Sequence, residues 1–441
     1  LSHILLDSGA YGKVPPDTGI VSKQMNFPKY SMGIGDRFAH QGKAQLAAFV
    51  RAKALGVDVT PVWNKSNREH NIVHSEPASV RAEADAAVRS LNWTGAYFVD
   101  ADHIGLQTVD RFIAASDFFT IDVADFIGKA ADDATLADFV AHYSRYAVAP
   151  LRVPGIEGAF QVTVQQIDAI GRKYLRAVIE AGKVYRHIEA AKGRDGFVPE
   201  ISMDETDSPQ TPVELLFILG AIAREQIPVR TIAPKFTGRF NKGVDYVGDL
   251  AQFEREFNDD LAVIAFAIKE FGLPADLKLS VHSGSDKFSI YPAIRRAIRR
   301  SGAGLHIKTA GTTWLEELIG LALAGGEGLR IAKDVYAQAL ARFDELCGPY
   351  ASVIDIDKSN LPAPGDVANW TGDLYAATLR HDQANPRYNA HFRQLLHVGF
   401  KVAAQMGERY TDALQEYEPV IAATVTENLF DRHMKRVFLD D

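Results

Sequence analysis

The sequence predicts an α/β fold, a (β/α)8 TIM-type barrel with an irregular N-terminal arm, an insertion after strand 4 and a helical C-terminal extension. Two observations carry this. Apolar runs end in sudden clusters of charge at Tyr30–Arg37, Val57–Lys65, Ala96–His103, Phe118–Asp122, Phe197–Glu205, Val229–Lys235, Leu277–His282 and Leu305–Lys308. A helix pattern follows each run, and parallel strands need such crossovers. Buried strands that each end in charge describe a barrel whose site lies at one rim.

The elements follow in order. Residues 1–28 are rich in Gly, Pro and Ser and read as the arm. Strands are predicted at Tyr30–Gly35, Val57–Trp63, Ala96–Asp100, Asp117–Val123, Gly196–Ser202, Val229–Lys235, Leu277–His282 and Gly304–Lys308. The helices between and after them are Gly42–Leu55, Pro77–Leu91, Gln107–Ala115, Val162–Lys192, Pro212–Glu225, Leu250–Gly272, Tyr291–Ser301 and Thr313–Ala324. Residues 126–160 interrupt the rhythm and read as short inserted helices. The barrel domain is placed at 29–330 and the helical extension, over the barrel mouth, at 331–441.

Composition narrows the function. The 441 residues are 47% hydrophobic and 24% charged, ordinary globular values. A net charge of −8 gives no reason to expect nucleic acid. No apolar run approaches a membrane span, and Leu1–Leu6 is too short for a signal sequence. One cysteine, Cys347, excludes an internal disulfide and suits a cytoplasmic protein. The expected partner is a small ketose or keto-uronate; a homo-oligomer is left open.

In barrel enzymes the loops after the strands carry the chemistry. Here they hold Asp36, Arg37 and Lys65; Asp100, Asp102 and His103; Asp122; Glu200, Asp204 and Glu205; Lys235 and Arg239; His282, Asp286 and Lys287; and Lys308. His103, His282 and a carboxylate such as Glu200 are borderline ligands for Zn first, or Mn, Ni or Co, with His306 a further candidate. The alternative is unrelated polar residues at a rim. Thr237–Gly243, with Arg239 and Lys242, and Ser283–Lys287 are Gly-containing basic loops suited to an anion, or else ordinary turns. His397 lies in an apolar stretch and is the tail histidine singled out for a substrate role. Met32–Arg37 lacks the third glycine of a dinucleotide fingerprint, so no NAD is expected.

Several strings are long and unusual. Gly35-Asp36-Arg37-Phe38, Pro61-Val62-Trp63-Asn64-Lys65-Ser66-Asn67-Arg68-Glu69-His70, Val99-Asp100-Ala101-Asp102-His103-Ile104, Phe119-Thr120-Ile121-Asp122-Val123-Ala124, Ala233-Pro234-Lys235-Phe236-Thr237-Gly238-Arg239-Phe240 and Val281-His282-Ser283-Gly284-Ser285-Asp286-Lys287-Phe288 resemble the bacterial tagaturonate epimerase family. The resemblance covers roughly residues 10 to 435. It implies a divalent metal and interconversion of tagaturonate and fructuronate in hexuronate catabolism, with fructose and tagatose used by some members. A fainter resemblance to metal-dependent class II aldolases implies His103 and His282 on the metal and Asp102 in proton transfer. The aldolases' intervening histidine has no clear counterpart, and Glu200 is expected to replace it.

The chemistry fits that family. The two sugars differ at carbon 4, which is not adjacent to the carbon-2 ketone, so simple enolisation cannot invert it. Retro-aldol cleavage between carbons 3 and 4, rotation and re-addition can. A divalent ion would act as Lewis acid. A carboxylate must remove and return the carbon-4 hydroxyl proton, Asp102 first and Asp122, Asp204 or Glu205 in reserve. Lys235 is expected to stabilise oxyanion charge. Asp36, Arg37, Lys65, Arg239, Lys242, Ser283, Asp286, Lys287 and His397 are the expected substrate contacts. The other readings are a class II-type aldolase that releases its fragments, and a non-catalytic sugar-binding barrel subunit.

Overall fold

A computed structural model describes residues 27–309 and 312–439. The expected N-terminal arm lies outside them apart from Phe27 and Pro28. Eight strands, β1 (Tyr30–Gly35), β2 (Thr60–Ser66), β3 (Phe98–Ile104), β4 (Phe118–Asp122), β5 (Val198–Ser202), β6 (Thr231–Ala233), β7 (Lys278–His282) and β8 (Leu305–Lys308), close into a barrel in chain order. Every pairing is parallel, including β1 with β8.

Period-two alternation sets what faces the barrel axis. On β4, Phe119 and Ile121 join the core between sheet and helices, while Phe118, Thr120 and Asp122 take the other face. On β8, Leu305 and Ile307 pack outward and His306 and Lys308 turn inward. On β7 the inward set is Lys278, Ser280 and His282. The strands therefore read as apolar runs because one face is wholly buried under helices, while the other carries the polar interior.

The helices of the barrel are α1 (Gly42–Ala54), α2 (Asn67–Val73), α3 (Pro77–Ser90), α4 (Asp133–Tyr143), α5 (Val164–Lys192), α6 (Pro212–Arg224), α7 (Leu250–Phe271), α8 (Tyr291–Ser301) and α9 (Thr312–Ala324). Thr211 caps α6 in a capping box with Glu214, and Pro212 starts the helix where no N–H is needed. The inserted α4 packs on α5, and Gly171 permits it: a Cβ there would stand 2.6 Å from Leu136 Cδ1.

Two expectations need correction, and one element was not foreseen. The second strand starts at Thr60 and not Val57, because the Val57 N–H closes α1 on the Ala52 carbonyl. The expected helix at Gln107–Ala115 is a single 3-10 turn, Val109–Arg111. Arg111 there reaches out to Glu76, Asn67, Asn71 and the Ser75 carbonyl, so tertiary contacts replace a helical ladder. Sequence reading also missed α2, although Ser66 and Glu69 form a capping box that marks its start.

Further helices follow from Gly326 to Phe438, and the first, Gly326–Ala341, runs through residue 330 unbroken. They pack across α9 and α1, and Trp314 Nε1 donates to the Leu396 carbonyl at 2.7 Å. No helix among the described residues is long and apolar enough to cross a membrane.

The amino end of the barrel has a solid floor. Phe27, Val62, Phe98, Phe118 and Val198 form an apolar cluster separate from the main core. Lys278 joins it at 3% exposure, with its ammonium 3.7 Å from the Phe27 ring centre and hydrogen-bonded to the Pro28 and Lys29 carbonyls. These groups replace the lost water incompletely, and burial pulls the Lys278 pKa down to about 7. The unfolded chain then binds more protons than the fold between pH 7 and 10, so stability rises with pH across that window. Lys278→Met is expected to raise the melting temperature at pH 6 and make this rise shallower. Thermal unfolding at pH 6 and pH 9 checks it; a variant with an unchanged slope would count against a strained Lys278.

Candidate metal centre and cleft

The carboxyl rim is built around a break in β3. Pairing with β4 shifts register between Ala101 and Ile104, and His103 takes a left-handed φ of 53°. In a regular strand Asp102 and His103 would point to opposite faces. The irregularity turns both toward the mouth, a local strain of the kind held at functional sites.

His103 Nδ1 bonds Asp102 Oδ1 at 2.9 Å. Its Nε2 lies 3.7 Å from Asp204 Oδ1, buried and without a hydrogen-bond partner. His282, the last residue of β7, repeats the pattern. Its Nε2 bonds Glu200 Oε1 at 2.8 Å, and its buried, unpartnered Nδ1 lies 3.3 Å from Asp204 Oδ2. Ligand atoms of His103, Asp204 and His282 all fall within 4.8 Å of one another. Each imidazole thus presents one free nitrogen to a shared carboxylate and is fixed behind by a second carboxylate. Metal-binding histidines are held this way, so the donor set fits a divalent ion.

The charges agree. Burial opposes a proton on His282, but Asp204 and Glu200 outweigh it and lift the pKa to about 9. Burial likewise disfavours charge on His103, and Asp102 and Asp204 again win. An ion would take the place of those protons.

Beneath this group lies a polar layer that sequence reading did not assemble. Lys308 Nζ donates to Asp100 Oδ2 at 2.8 Å, Asp102 Oδ1 at 2.5 Å and Thr120 Oγ1 at 2.8 Å, and is 3.6 Å from Glu200 Oε1. The sequence places Lys308 at the end of its strand without indicating a role for it. Its inward alternation with His306 was the available signal; which carboxylates it meets depends on β3, 206 to 208 residues away, and on β5.

The other expected residues separate clearly. Glu200 sits behind His282, and Asp204 takes the place expected for it. His306 belongs to the floor, bonded to Ser31 Oγ at 2.9 Å and packed on Phe118 at 5.2 Å. Asp36 spends both oxygens on the N–H groups of Phe38, Ala39, His40 and Gln41. Lys65 faces outward from β2 and ties the Arg37 carbonyl to Ser75. Ser283 Oγ donates to the Lys308 carbonyl, and Asp286 is buried against Arg393, His433 and His381. These four hold loops in place. Arg37 stacks on Phe400 and pairs with Glu69, leaving Nη1 buried and unpartnered. Asp122 ends β4 with Oδ1 on the Ala124 N–H, and burial raises its pKa.

A cleft of ≈ 600 Å³ opens beside the metal group. Asp204, Glu205, Lys235, Arg239, Lys242 and His282 line it, and Pro349, Tyr350 and Val353 of the C-terminal extension supply one wall. Arg239 is 58% exposed at the edge and pairs with Asp355.

A closed barrel whose carboxyl rim carries two carboxylate-braced histidines and a shared aspartate defines a (β/α)8 protein of the metal-dependent type. The profile of the UxaE tagaturonate epimerase family matches residues 19–437. The chain belongs to that family. It is 32% identical over 240 residues to the tagaturonate/fructuronate epimerase of Thermotoga maritima, a match covering 54% of this chain and 44% of that relative. The matched stretch thus spans less than half the relative's length. The native crystal structure of the fructuronate-tagaturonate epimerase UxaE from Cohnella laeviribosi superposes with a TM-score of 0.76, at 23% identity, over 94% of this chain and 83% of that one. A glycerol complex of the same enzyme gives 0.75 at 24% identity, over 93% and 81%. These two likenesses show the shared fold.

Proposed function

We propose that this chain is a divalent-metal-dependent epimerase that interconverts tagaturonate and fructuronate by inverting carbon 4, with fructose and tagatose as a neutral pair. The observation that carries the reading is the His103–Asp204–His282 group with Asp102 and Glu200 braced behind it. Zinc heads the metals that suit two imidazoles and a carboxylate. His103, Asp204 and His282 would hold such an ion, which would supply Lewis acidity to the ketose. A cytoplasmic setting rests on the single, unpaired Cys347.

The protein's own groups then divide the work. Asp102 is tied to His103 and to the Lys308 ammonium; burial opposes its ionisation, but Lys308 and, in the metal-free protein, a protonated His103 hold its pKa well below the usual range. A carboxylate so strongly ionised orients an imidazole better than it accepts a proton. Asp122 has one oxygen free of backbone bonds and a pKa raised by burial, which suits it to take the carbon-4 hydroxyl proton and return it. Lys235, in the cleft wall, stands ready for oxyanion charge.

The test is turnover with isotope. Metal-loaded protein is expected to convert each keto-uronate into the other, to stop with chelator and to resume with added divalent ion. Deuterium on carbon 4 is expected to stay through epimerisation in ordinary water, because cleavage between carbons 3 and 4 never breaks that C–H bond. Washout of the label would remove the retro-aldol route. Net accumulation of an aldehyde fragment would instead favour an aldolase.

A further inference from the structure

The loops after β6 and β7 and one segment of the extension bring three nitrogen groups together beside the metal centre. Lys287 is fully buried. Its ammonium donates to Ser285 Oγ at 2.9 Å and to the Asp286 carbonyl at 3.4 Å; the Asp286 and Asp245 carboxylates act on it from a distance, and among the described residues none makes an ion-pair contact with it. The neighbouring Asp286 carboxylate is engaged by Arg393 at 2.9 Å, His433 at 3.1 Å and His381 at 3.3 Å.

Ser285 Oγ also accepts the Gly243 N–H at 2.9 Å, which sets Lys287 against the 242–243 backbone. Lys242 Nζ lies against Gly284, where an added Cβ would be 3.5 Å from it, and its side chain helps to line the cleft that His282 shares. His397 lies on the other side of Gly243, where an added Cβ would be 3.2 Å from the His397 Cβ. His397 Nε2 is buried and has no hydrogen-bond partner. Burial, with Arg37 and Lys242 nearby, keeps this imidazole neutral, so Nε2 can carry a proton to donate.

A buried ammonium with no carboxylate in direct contact is costly, and so is an unpaired buried nitrogen. One carboxylate would answer all three groups, as charge-assisted hydrogen bonds do. Arg239 is outside the set, exposed and paired with Asp355. We propose that Lys242, Lys287 and His397 grip the terminal carboxylate of the keto-uronate and set the preference for the sugar acid over the neutral ketose. The choice of sugar rests on the epimerase reading above; the anion site rests on the three nitrogens.

The test compares fructuronate with fructose, which differ at that terminal carbon. Lys287→Met and, as the partly exposed variant least disruptive to folding, Lys242→Met are expected to raise KM for fructuronate by about tenfold or more, the size of a lost charge-assisted bond. KM for fructose and kcat on both sugars are expected to change far less. Equal losses on both sugars, or none on either, would overturn the proposal. Calorimetric binding of the same two sugars separates it from the epimerase reading. If wild type turns neither sugar over but binds fructuronate more tightly, and both variants lose that preference, the anion site stands and the epimerase reading fails. If wild type binds both sugars alike, the anion site fails whatever the turnover.

Discussion

His103→Ala and His282→Ala are each expected to lose bound metal and to reduce epimerisation to background while the barrel stays folded. Each imidazole offers one free nitrogen to the shared Asp204, so removing either leaves two ligands where at least three are needed. Removing His282 also strands Glu200, which bonds its Nε2, but Lys308 and Thr120 still reach that carboxylate. Elemental analysis after dialysis and far-ultraviolet circular dichroism check the two halves of this result. Full metal occupancy in both variants would refute the assignment.

Lys308→Met is expected to cost about 3–5 kcal/mol of stability at pH 8, the usual price of breaking a buried ion pair by removing one partner. The ammonium is shared by Asp100 and Asp102 with Glu200 close by, so its loss leaves three buried carboxylates with little cationic support. Burial then raises their pKa values above those of the unfolded chain. The folded variant binds more protons than the unfolded one in weak acid, so its deficit shrinks as pH falls from 8 toward 5. In the wild type Glu200 behaves oppositely. Burial opposes its ionisation, but His282 and Lys308 hold its pKa well below the usual range, and the stability it confers is lost as pH falls below the carboxylate range. Denaturant melts at pH 5 and pH 8 test this. A Lys308→Met protein as stable as wild type at pH 8 would show that the carboxylates have other compensation.

The barrel was legible because strand ends carry charge and outer strand faces are continuously apolar. β1 and β7 fall within a residue of their expected bounds. Failures came where local sequence does not decide the outcome. Gln107–Ala115 has helical spacing, but Arg111 is claimed by α2 and the loop after it. In the site, His103 and His282 were findable as histidines at strand ends. Their convergence on Asp204 was not, because it depends on the break in β3 that no spacing announces. Asp36, Lys65 and Asp286 looked like substrate contacts for the same reason that they make good loop anchors: a buried charge at a strand end can satisfy backbone groups as readily as a ligand.

The floor of Phe27, Val62, Phe98, Phe118 and Val198 makes the barrel a cup and not a tube. On the retro-aldol route proposed above, that geometry matters at one moment, when two fragments exist. Among the described residues the base is closed by that cluster, while the cleft at the opposite rim is walled in part by Tyr350 and Val353. On that route, whether such a cup returns an epimer or spills a cleavage product is a contest at its lip between escape and recombination, and the helical extension lends that lip a wall.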